Sequence, residues 1–490
     1  MSTASDTLQL DVDAARAGVR LYLYPVPPTI GRQFLCTGCK NRETHKIKHL
    51  DLESALWRSL PTSTHTNDPE GADFFVVQHA MYSRSLGRGP LPRILTDYFD
   101  NGFSPYLHYI RHGLPYFNRS EGRDHLYVWV GDMGVKCDCY GLDKILSVRP
   151  MESYMLHQMM RVGYQGSTDP HIGWRNGYDI SMPMWNMFHT RNRSAPWQTL
   201  VRAAAKRSNM HAKFSPWGDA TKCASHDFAC GCSAGFRRWL YYNYTASACG
   251  DWTRRCTNVS VAHAWYALCP AGWGCWSSRL FDAIDKLAVP VILANGALQP
   301  FERFLDWRAF SVQLDTEVLS GMEAAPQPPP GYTCKAQYPW DGTCLIKSAP
   351  IMVGKDPRGA NASGLDALHM EAARIAPACS GSDSGSSPDD APPTACAELP
   401  TVRMVRELQA VRRWFAWNAS DPYSAFGLLL LELRCRMHHL GRIRGSHARG
   451  HPHEAGQNGR HNRTRLLPSC VLEQPLLPTA ISIDGAASAS

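Results

Sequence analysis

Hydrophobic runs and polar breaks alternate along the first two thirds of the chain in a pattern that predicts strands separated by helices. Three apolar runs, VRLYLYPV, ADFFVV and HLYVWVGD, are short and rich in β-branched and aromatic residues, as expected of strands that are covered on both faces. Helical spacing predicts helices over 51–60 and 95–113. A second series starts near 179 and ends with a strand at 310–314. This alternation favours βαβ units, and hence an α/β fold with parallel sheets.

Shifts in composition divide the chain into six segments. We expect a loose leader at 1–18, a first α/β domain at 19–170, a second α/β domain at 171–320, a Pro/Gly/Ser-rich linker or insertion at 321–400, a C-terminal helix within 401–440 and a basic disordered tail at 441–490. The insertion includes CSGSDSGSSPDDAPPTAC, which cannot bury much apolar surface. A length of 490 residues is enough for two α/β domains of about 150 residues and the extra segments.

The most informative stretch, 269–307, predicts a loop, a helix, a strand and a second loop. Leu280 begins an apolar stripe with the spacing i, i+4, i+7, which predicts an amphipathic helix. Ser277 and Ser278 can cap the start of this helix, where backbone N–H groups and the helix dipole favour an anion. Arg279 lies in the first turn, where its guanidinium can bind phosphate oxygens that those N–H groups also hold.

Polar residues on both sides of the next strand extend this predicted anion site. The run VPVIL predicts a buried parallel strand, and open α/β sheets bind ligands at the carboxyl ends of their strands. Asn295 and Gly296 follow the strand and let the backbone approach a ligand closely. Asp282 shares a helix face with Arg279, and its alternative role is an ion pair within the helix. Glu302, in QPFERFLDW, is either a ligand-binding acid or a charge at a helix start.

Charge and cysteine content bear on partners and compartment. The formal net charge of +8 is compatible with an anionic ligand. Much of this charge lies in the His-rich tail, which lacks interleaved aromatic residues, so nucleic-acid binding is not expected. The 17 Cys and several Asn-x-Ser/Thr sequons favour the secretory pathway. The sequence shows no apolar run with the length of a signal peptide or a membrane anchor.

Metal binding is not expected from the arrangement of the cysteines and acids. Cys36 with Cys39 and Cys137 with Cys139 offer four thiolates, but the Cys-x-Cys spacing suits a tetrahedral zinc site poorly. The cysteines within 223–256 are more typical of disulfides. No Asp-x-Asp pair follows a predicted strand to hold a metal-bound diphosphate. We therefore predict a site with no metal and no other cofactor.

Five sequence blocks occur in a particular order. They are VRLYLYPVPP, TNDPEGADFFVV, PYFNRSEGRDHLYVWVGDMG, SAGFRRWL and the stretch SSRLFDAIDKLAVPVILANGALQPFERFLDW. In content and order they resemble the exostosin-like glycosyltransferases, glycosyltransferase family 47. The resemblance implies a GT-B architecture, in which two Rossmann-like domains face each other across a cleft. It also implies a Golgi location within the secretory pathway.

The resemblance further implies roles for individual residues. Arg237, in SAGFRRWL, resembles a second phosphate-facing Arg of the family, and Arg238 is the alternative. Asp282 and Glu302 resemble acids that bind ribose or sugar hydroxyls. Their position and that of Arg279 imply that the second domain binds a nucleotide-sugar.

The resemblance places the acceptor on the first domain, where a base must deprotonate its hydroxyl group. Asp124, His125 and Asp132 lie at the start and end of the strand HLYVWVGD and are the candidates for this base. For each of them the alternative is a structural role in a hydrogen-bonded loop.

Together these features predict an inverting glycosyltransferase of the hexosyl or pentosyl class. It would transfer a sugar from a nucleotide-sugar, with UDP-sugars expected, to a polysaccharide or a glycoprotein glycan. Arg279 and the helix start would stabilise the departing diphosphate in place of a metal. Assembly with itself or with another glycosyltransferase is expected. The alternative is an inactive exostosin-like partner subunit or a glycan-binding protein, because Val77 and Met133 replace a Pro and a Trp of the family pattern.

Overall fold

In the residues that it describes, the computed structural model contains a five-stranded sheet, a four-stranded sheet, two two-stranded sheets and a series of helices. It describes residues 2–30, 62–79, 91–130, 142–164, 166–167, 174–175, 177–184, 208–211, 261–271, 277–294, 296–314, 323–325, 351–353, 371–375, 378–379, 394–418 and 421–447, and the single residues 53, 56, 81, 240 and 368. Among these residues, no helix combines the length and the apolar character that crossing a membrane requires.

Helices and short strands alternate along the described chain. The helices are α1 Ser2–Gly18, α2 Leu91–Tyr98, α3 Ser104–His108, α4 Tyr116–Ser120, α5 Leu142–Ser147, α6 Pro150–Gln158, α7 Ser278–Lys286, α8 Thr394–Ala397, α9 Pro400–Val411 and α10 Ala425–His447. The strands are β1 Leu21–Leu23, β2 Phe74–Val76, β3 His125–Trp129, β4 Met160–Gly163, β5 Gly166–Ser167, β6 Ile180–Ser181, β7 Ser208–His211, β8 Ala264–Pro270, β9 Val289–Leu293, β10 Ala297–Leu298, β11 Val312–Gln313, β12 Glu323–Ala325 and β13 Ile351–Val353. Two π-helical segments, Phe99–Phe103 and Tyr109–Gly113, flank α3.

The chain divides into two compact units, and each combines separate parts of the sequence. The first unit contains 1–186, 298–304 and 414–475, and the second contains 187–297, 305–413 and 476–490. The first transition therefore comes at 186, not near 170 where the sequence pattern suggested a boundary.

The first unit is built on a parallel sheet with the strand order β1-β2-β3-β4-β6. The register is set near Phe75, which pairs with Tyr22 on β1 and with His125 on β3. Strands β2, β3 and β4 are buried along their whole length. The apolar runs of β2 and β3 predict this burial, whereas β4 includes the buried Arg161. The parallel pairing confirms the prediction of an α/β fold for this part of the chain.

The N-terminal segment, which was expected to be a loose leader, forms helix α1. Helix α1 packs against α10, and Val12 and Ala15 are fully buried. Gly427 permits this close approach, because a Cβ atom there would lie 2.0 Å from the carbonyl oxygen of Pro422 and 2.8 Å from the side chain of Val12. The sequence pattern did not reveal this helix, since its buried stripe is narrow and its partner comes from the other end of the chain.

The second unit contains a four-stranded parallel sheet with the order β11-β9-β8-β7. Strands β8 and β9 are parallel, and their last residues, Pro270 and Leu293, are paired. Helix α7 connects them and packs on both strands through its apolar stripe, as predicted. The helix ends at Lys286, and its C-cap residue Leu287 adopts a left-handed conformation with φ 54°. This β8-α7-β9 unit confirms the predicted strand and helix around Arg279.

The segment at 321–400 is not without structure where it is described. Strands β12 and β13 form an antiparallel pair. Cys379 and Cys396 form a disulfide, and α8 leads into α9. The predicted C-terminal helix of 401–440 is two helices: α9 belongs to the second unit and α10 to the first.

Candidate functional site

The start of helix α7 in the second unit has the geometry of an anion site. Ser277 is the N-cap residue, with an extended backbone at φ −138° and ψ 126°. Its residue surface is only 7% exposed. Within the described part of the chain its Oγ atom makes no hydrogen bond, either to the helix or to another group. Buried hydroxyl groups in proteins are nearly always hydrogen-bonded, so this atom is suited to a ligand that completes the site.

Arg279 lies in the first turn of α7 and is half-buried. Burial lowers the pKa of its guanidinium, while Cys269 and Asp282 act in the opposite direction. The group remains a cation at neutral pH, because an Arg side chain does not lose its proton in this range. A cation that is partly removed from water interacts strongly with an anion, since water screens it less. The structure therefore places a cation in the first turn of the helix, as predicted. The predicted side-chain cap is not formed, because Ser277 makes no hydrogen bond to the helix and Ser278 is the first helical residue.

Cys269, near the end of β8, is a residue that the sequence reading did not single out. Its thiol is buried and donates a hydrogen bond to the carbonyl oxygen of Ala267 at 3.3 Å. Burial raises the pKa of this thiol to about 12, although the nearby Arg279 lowers it. The thiol is thus neutral at physiological pH. The signal available in the sequence was its place just before the loop that leads to Ser277.

The two acids of α7 have different environments. Asp285 is buried. It accepts a hydrogen bond from Arg412 Nη2 at 2.6 Å and forms an ion pair with Lys286 Nζ at 2.8 Å. Asp282 is exposed and close enough to Arg279 to influence its pKa. Lys286 thus pairs with Asp285. The ribose-binding role of Asp282 stays a prediction.

The loop after β9 supplies two further predicted residues. Gly296 is exposed and has φ +70°, a conformation that favours glycine. Glu302 is an exposed residue of the first unit, and its Oε2 accepts from the backbone N–H of Gln299 at 3.0 Å. Partial burial of its carboxyl group raises the pKa of Glu302 to about 7, and the nearby Glu432 adds to this effect. Ser278, at the first position of α7, is half-buried.

Three predicted site residues lie outside the described part of the chain. They are Asp132, Arg237 and Asn295. The cysteines considered for zinc, Cys36, Cys39, Cys137 and Cys139, are also outside it. In the regions that the structure describes, no group of three or more His, Cys, Asp or Glu residues is placed to hold a metal ion.

Asp124 and His125 form a buried network at the amino end of β3. Both side chains are 0% exposed. His125 Nδ1 lies 2.7 Å from Asp124 Oδ1, and His125 Nε2 lies 2.7 Å from the hydroxyl of Tyr24. Ser120 donates to the same Asp124 oxygen. Since both ring nitrogens have partners, deprotonation of an acceptor by His125 would require this network to open. The assignment of the base stays a prediction.

Comparison with known proteins identifies the family. A family model described as the Exostosin GT47 domain matches residues 15–323. The chain is similar to the probable glucuronosyltransferase GUT1 of Oryza sativa subsp. japonica, with 23% identity over 315 residues, which covers 62% of this chain and 70% of that protein. It is also similar to the probable beta-1,4-xylosyltransferase IRX10L of Arabidopsis thaliana, with 24% identity over 322 residues, which covers 64% of this chain and 71% of that protein.

A third relative is a probable glucuronoxylan glucuronosyltransferase of Arabidopsis thaliana, with 22% identity over 317 residues, covering 60% of both chains. The family match includes β8, α7 and β9, so it contains the candidate anion site. It covers well over half of the chain, in agreement with the resemblance seen in the sequence blocks. The chain belongs to the exostosin family of glycosyltransferases, family GT47.

Proposed function

We propose that this protein transfers a hexose or pentose from a nucleotide-sugar, with UDP as the nucleotide, to a polysaccharide or a glycoprotein glycan. We further propose that its two units are the two domains of a GT-B enzyme and that the reaction inverts the anomeric carbon. The observation that carries the proposal is the half-buried Arg279 beside the buried Ser277 at the start of α7. Family membership supports the same chemistry.

In the proposed reaction, the acceptor oxygen attacks the anomeric carbon while the bond to the diphosphate oxygen breaks. Negative charge then develops on the diphosphate. The N–H groups at the start of α7 and the Arg279 guanidinium stabilise that charge, because both are already oriented before the reaction. Five further residues are proposed to bind the remaining phosphate, ribose and sugar groups of the donor: Arg237, Asn295, Gly296, Asp282 and Glu302. A base of the first unit receives the proton of the acceptor, with Asp124, His125 and Asp132 as the candidates.

Metal independence is part of the proposal. A positively charged side chain and a helix start can supply the electrostatic stabilisation that a divalent ion supplies in other transferases. Transfer should therefore continue in the presence of a chelator. A requirement for Mg²⁺ or Mn²⁺ would overturn this part of the proposal and leave sugar transfer itself intact.

The relatives guide the choice of substrates and compartment. Those reported above are named as glucuronosyl- and xylosyltransferases, so UDP-glucuronate and UDP-xylose are the first donors to test. We propose a Golgi location. The disulfide between Cys379 and Cys396 supports maturation in an oxidising compartment such as the secretory pathway. Assembly with itself or with another glycosyltransferase is also proposed.

The test is a thermal-shift screen of UDP and a panel of UDP-sugars on the purified full chain, followed by product analysis with oligosaccharide acceptors. A ligand at about 100 times its Kd should stabilise the protein by about 2.7 kcal/mol. We expect UDP and at least one UDP-sugar to raise the melting temperature and the same sugar to appear on an acceptor. A protein that binds no uridine nucleotide would instead be a partner subunit or a glycan-binding protein.

A further inference from the structure

A network of ion pairs and backbone hydrogen bonds runs through the first unit from the sheet to segment 298–304. It begins at Asp179, whose carboxylate lies 2.7 Å from Arg175 Nη2 and 3.4 Å from Arg161 Nη2. Asp179 also accepts from the backbone N–H groups of both arginines at 2.9 Å. These bonds fix the end of the β4–β6 connection. The bonds hold this connection rigid, so an element that packs against it is also held in place.

Arg436 links helix α10 to the β4–β6 connection. The Nε atom of Arg436 donates to the carbonyl oxygen of Tyr178 at 2.8 Å, and its Nη2 donates to that of Asp179 at 3.0 Å. Its Nη1 pairs with the carboxylate of Glu432, one turn earlier on the same helix. The guanidinium therefore bridges the sheet connection and Glu432, and it holds Glu432 in one orientation.

Glu432 is the point where this network reaches the loop after β9. Its Oε2 lies 3.9 Å from Arg303 Nη1, and its charge also acts on the neighbouring Glu302. The Glu302 carboxyl group accepts from Gln299 N–H. Glu432 is 6% exposed, so water screens its field weakly. One buried carboxylate of the C-terminal helix thus attracts one residue of the loop and repels the residue before it.

We propose that Glu432, oriented by Arg436, is a positioning residue for Arg303 and the adjacent Glu302, and that helix α10 in this way fixes segment 298–304 of the first unit. The inference rests on the proposed function, in which Glu302 binds hydroxyl groups of the donor. Helix α10 lies outside residues 15–323, which the family model matches, so this role is separate from the matched domain.

The mechanism gives opposite effects for two substitutions. Partial burial raises the pKa of Glu302, Glu432 raises it further, and the Gln299 N–H and Arg303 lower it. Glu302 binds donor hydroxyls best as a carboxylate, because both oxygens then accept hydrogen bonds. Glu432→Gln removes a negative charge and should shift the pH midpoint of donor binding downward. Arg303→Gln removes a positive charge and should shift it upward.

The experiment measures UDP affinity by calorimetry between about pH 5.5 and about pH 8.5, the range that spans a carboxyl group with a raised pKa. We expect the affinity of the wild type to rise with pH. The midpoint should move by about 0.5 to 1 unit in Glu432→Gln and in the opposite sense in Arg303→Gln. Since the terminal phosphate of UDP also titrates near pH 6, Glu302→Gln supplies the background to subtract. Glu70→Gln, which removes an exposed acid of the same unit, is the matched control.

Opposite shifts of the midpoint, absent in Glu70→Gln, would support the inference. A change in melting temperature with the midpoint unmoved in both variants would overturn it, because a purely structural network predicts that result. If only one of Glu432→Gln and Arg303→Gln folds, the direction in which its pH midpoint shifts still supports or overturns the inference. A wild type that binds UDP without a Glu302-dependent pH profile overturns the inference alone. A wild type that binds no uridine nucleotide at any pH overturns the proposed function.

Discussion

The hydroxyl of Tyr24 lies 2.7 Å from Nε2 of His125, and both side chains are fully buried. Burial raises the pKa of Tyr24, and the Asp124 carboxylate adds to the shift, so the hydroxyl keeps its proton. Tyr24 therefore donates to Nε2, and the Nδ1–H group of His125 donates to Asp124. Nε2 of His125, the ring nitrogen that would act as the base, therefore already accepts a hydrogen bond from Tyr24.

The first prediction concerns this contact. Tyr24→Phe should leave the buried Nε2 atom of His125 without a donor and reduce the free energy of unfolding by about 1–3 kcal/mol. The turnover number of the folded fraction should stay within about twofold of the wild type. Urea unfolding and transfer assays measure the two quantities. Tyr154→Phe, at a partly exposed ring, should change stability by less than about 0.5 kcal/mol. A large loss of turnover at unchanged stability would instead place His125 in the chemistry.

The second prediction concerns the ion pair between Asp285 and Arg412. Arg412→Ala removes the closer of the two cations around a buried carboxylate and should destabilise the protein by about 1–3 kcal/mol. Thermal and urea unfolding report the change. Arg406→Ala removes an exposed charge from the preceding helix and is the control. Equal stabilities of the two variants would show that Asp285 does not depend on Arg412.

The third prediction is the pH dependence of stability at Glu302. Its pKa in the folded protein is raised to about 7, against about 4.3 in the unfolded chain. The folded state thus binds more protons in this interval, and the contribution of Glu302 to stability falls as the pH rises from about 4.3 to about 7. Glu302→Gln should remove this decline and gain stability relative to the wild type above about pH 7.

The difference between the unfolding free energies of the two proteins, measured across this range, isolates the effect. Because Glu302 is exposed as a residue, solvent screening should keep the difference small. A difference that is constant with pH would contradict the prediction.

The fourth prediction concerns the disulfide between Cys379 and Cys396. It closes a loop with a sequence separation of 17, and a loop of this size should contribute about 3 kcal/mol of stability in the chain-entropy description. The double substitution by Ser should lose a stabilisation of this order in unfolding experiments. Peptide mass spectrometry of the purified protein without reduction should find the two cysteines cross-linked. Two free thiols in the mature protein would contradict the assignment.

The sequence pattern was most reliable where burial is continuous. The runs that became β2, β3 and β9 are apolar throughout, and an apolar stripe defined α7, so local sequence was enough to predict these elements. Helix α1 was missed because only a narrow side of it is buried, while Leu10 is 70% exposed. Its stability depends on α10, which no local pattern reveals.

The candidate site likewise contains residues whose surroundings the local sequence predicts and residues for which it does not. The positions of Arg279 and Ser277 at a helix start could be predicted, because the apolar stripe of α7 is a local signal. Their role in binding an anion stays a prediction. The surroundings of Glu302 could not be predicted. The residue follows β10 in sequence, yet its electrostatic partner Glu432 is on α10 of the first unit, more than a hundred residues later. Long-range charge pairs of this kind leave no periodic signal.

The most direct test of the central claim is calorimetry of UDP with the wild type, Arg279→Ala, Arg279→Lys and the exposed control Arg308→Ala. The account predicts about 10- to 100-fold weaker binding in Arg279→Ala, since a charged hydrogen bond to phosphate is lost. Arg279→Lys should be intermediate, because the charge remains without the forked geometry. Arg308→Ala should bind like the wild type. Unchanged UDP affinity in a folded Arg279→Ala variant would contradict the claim that this arginine holds the diphosphate.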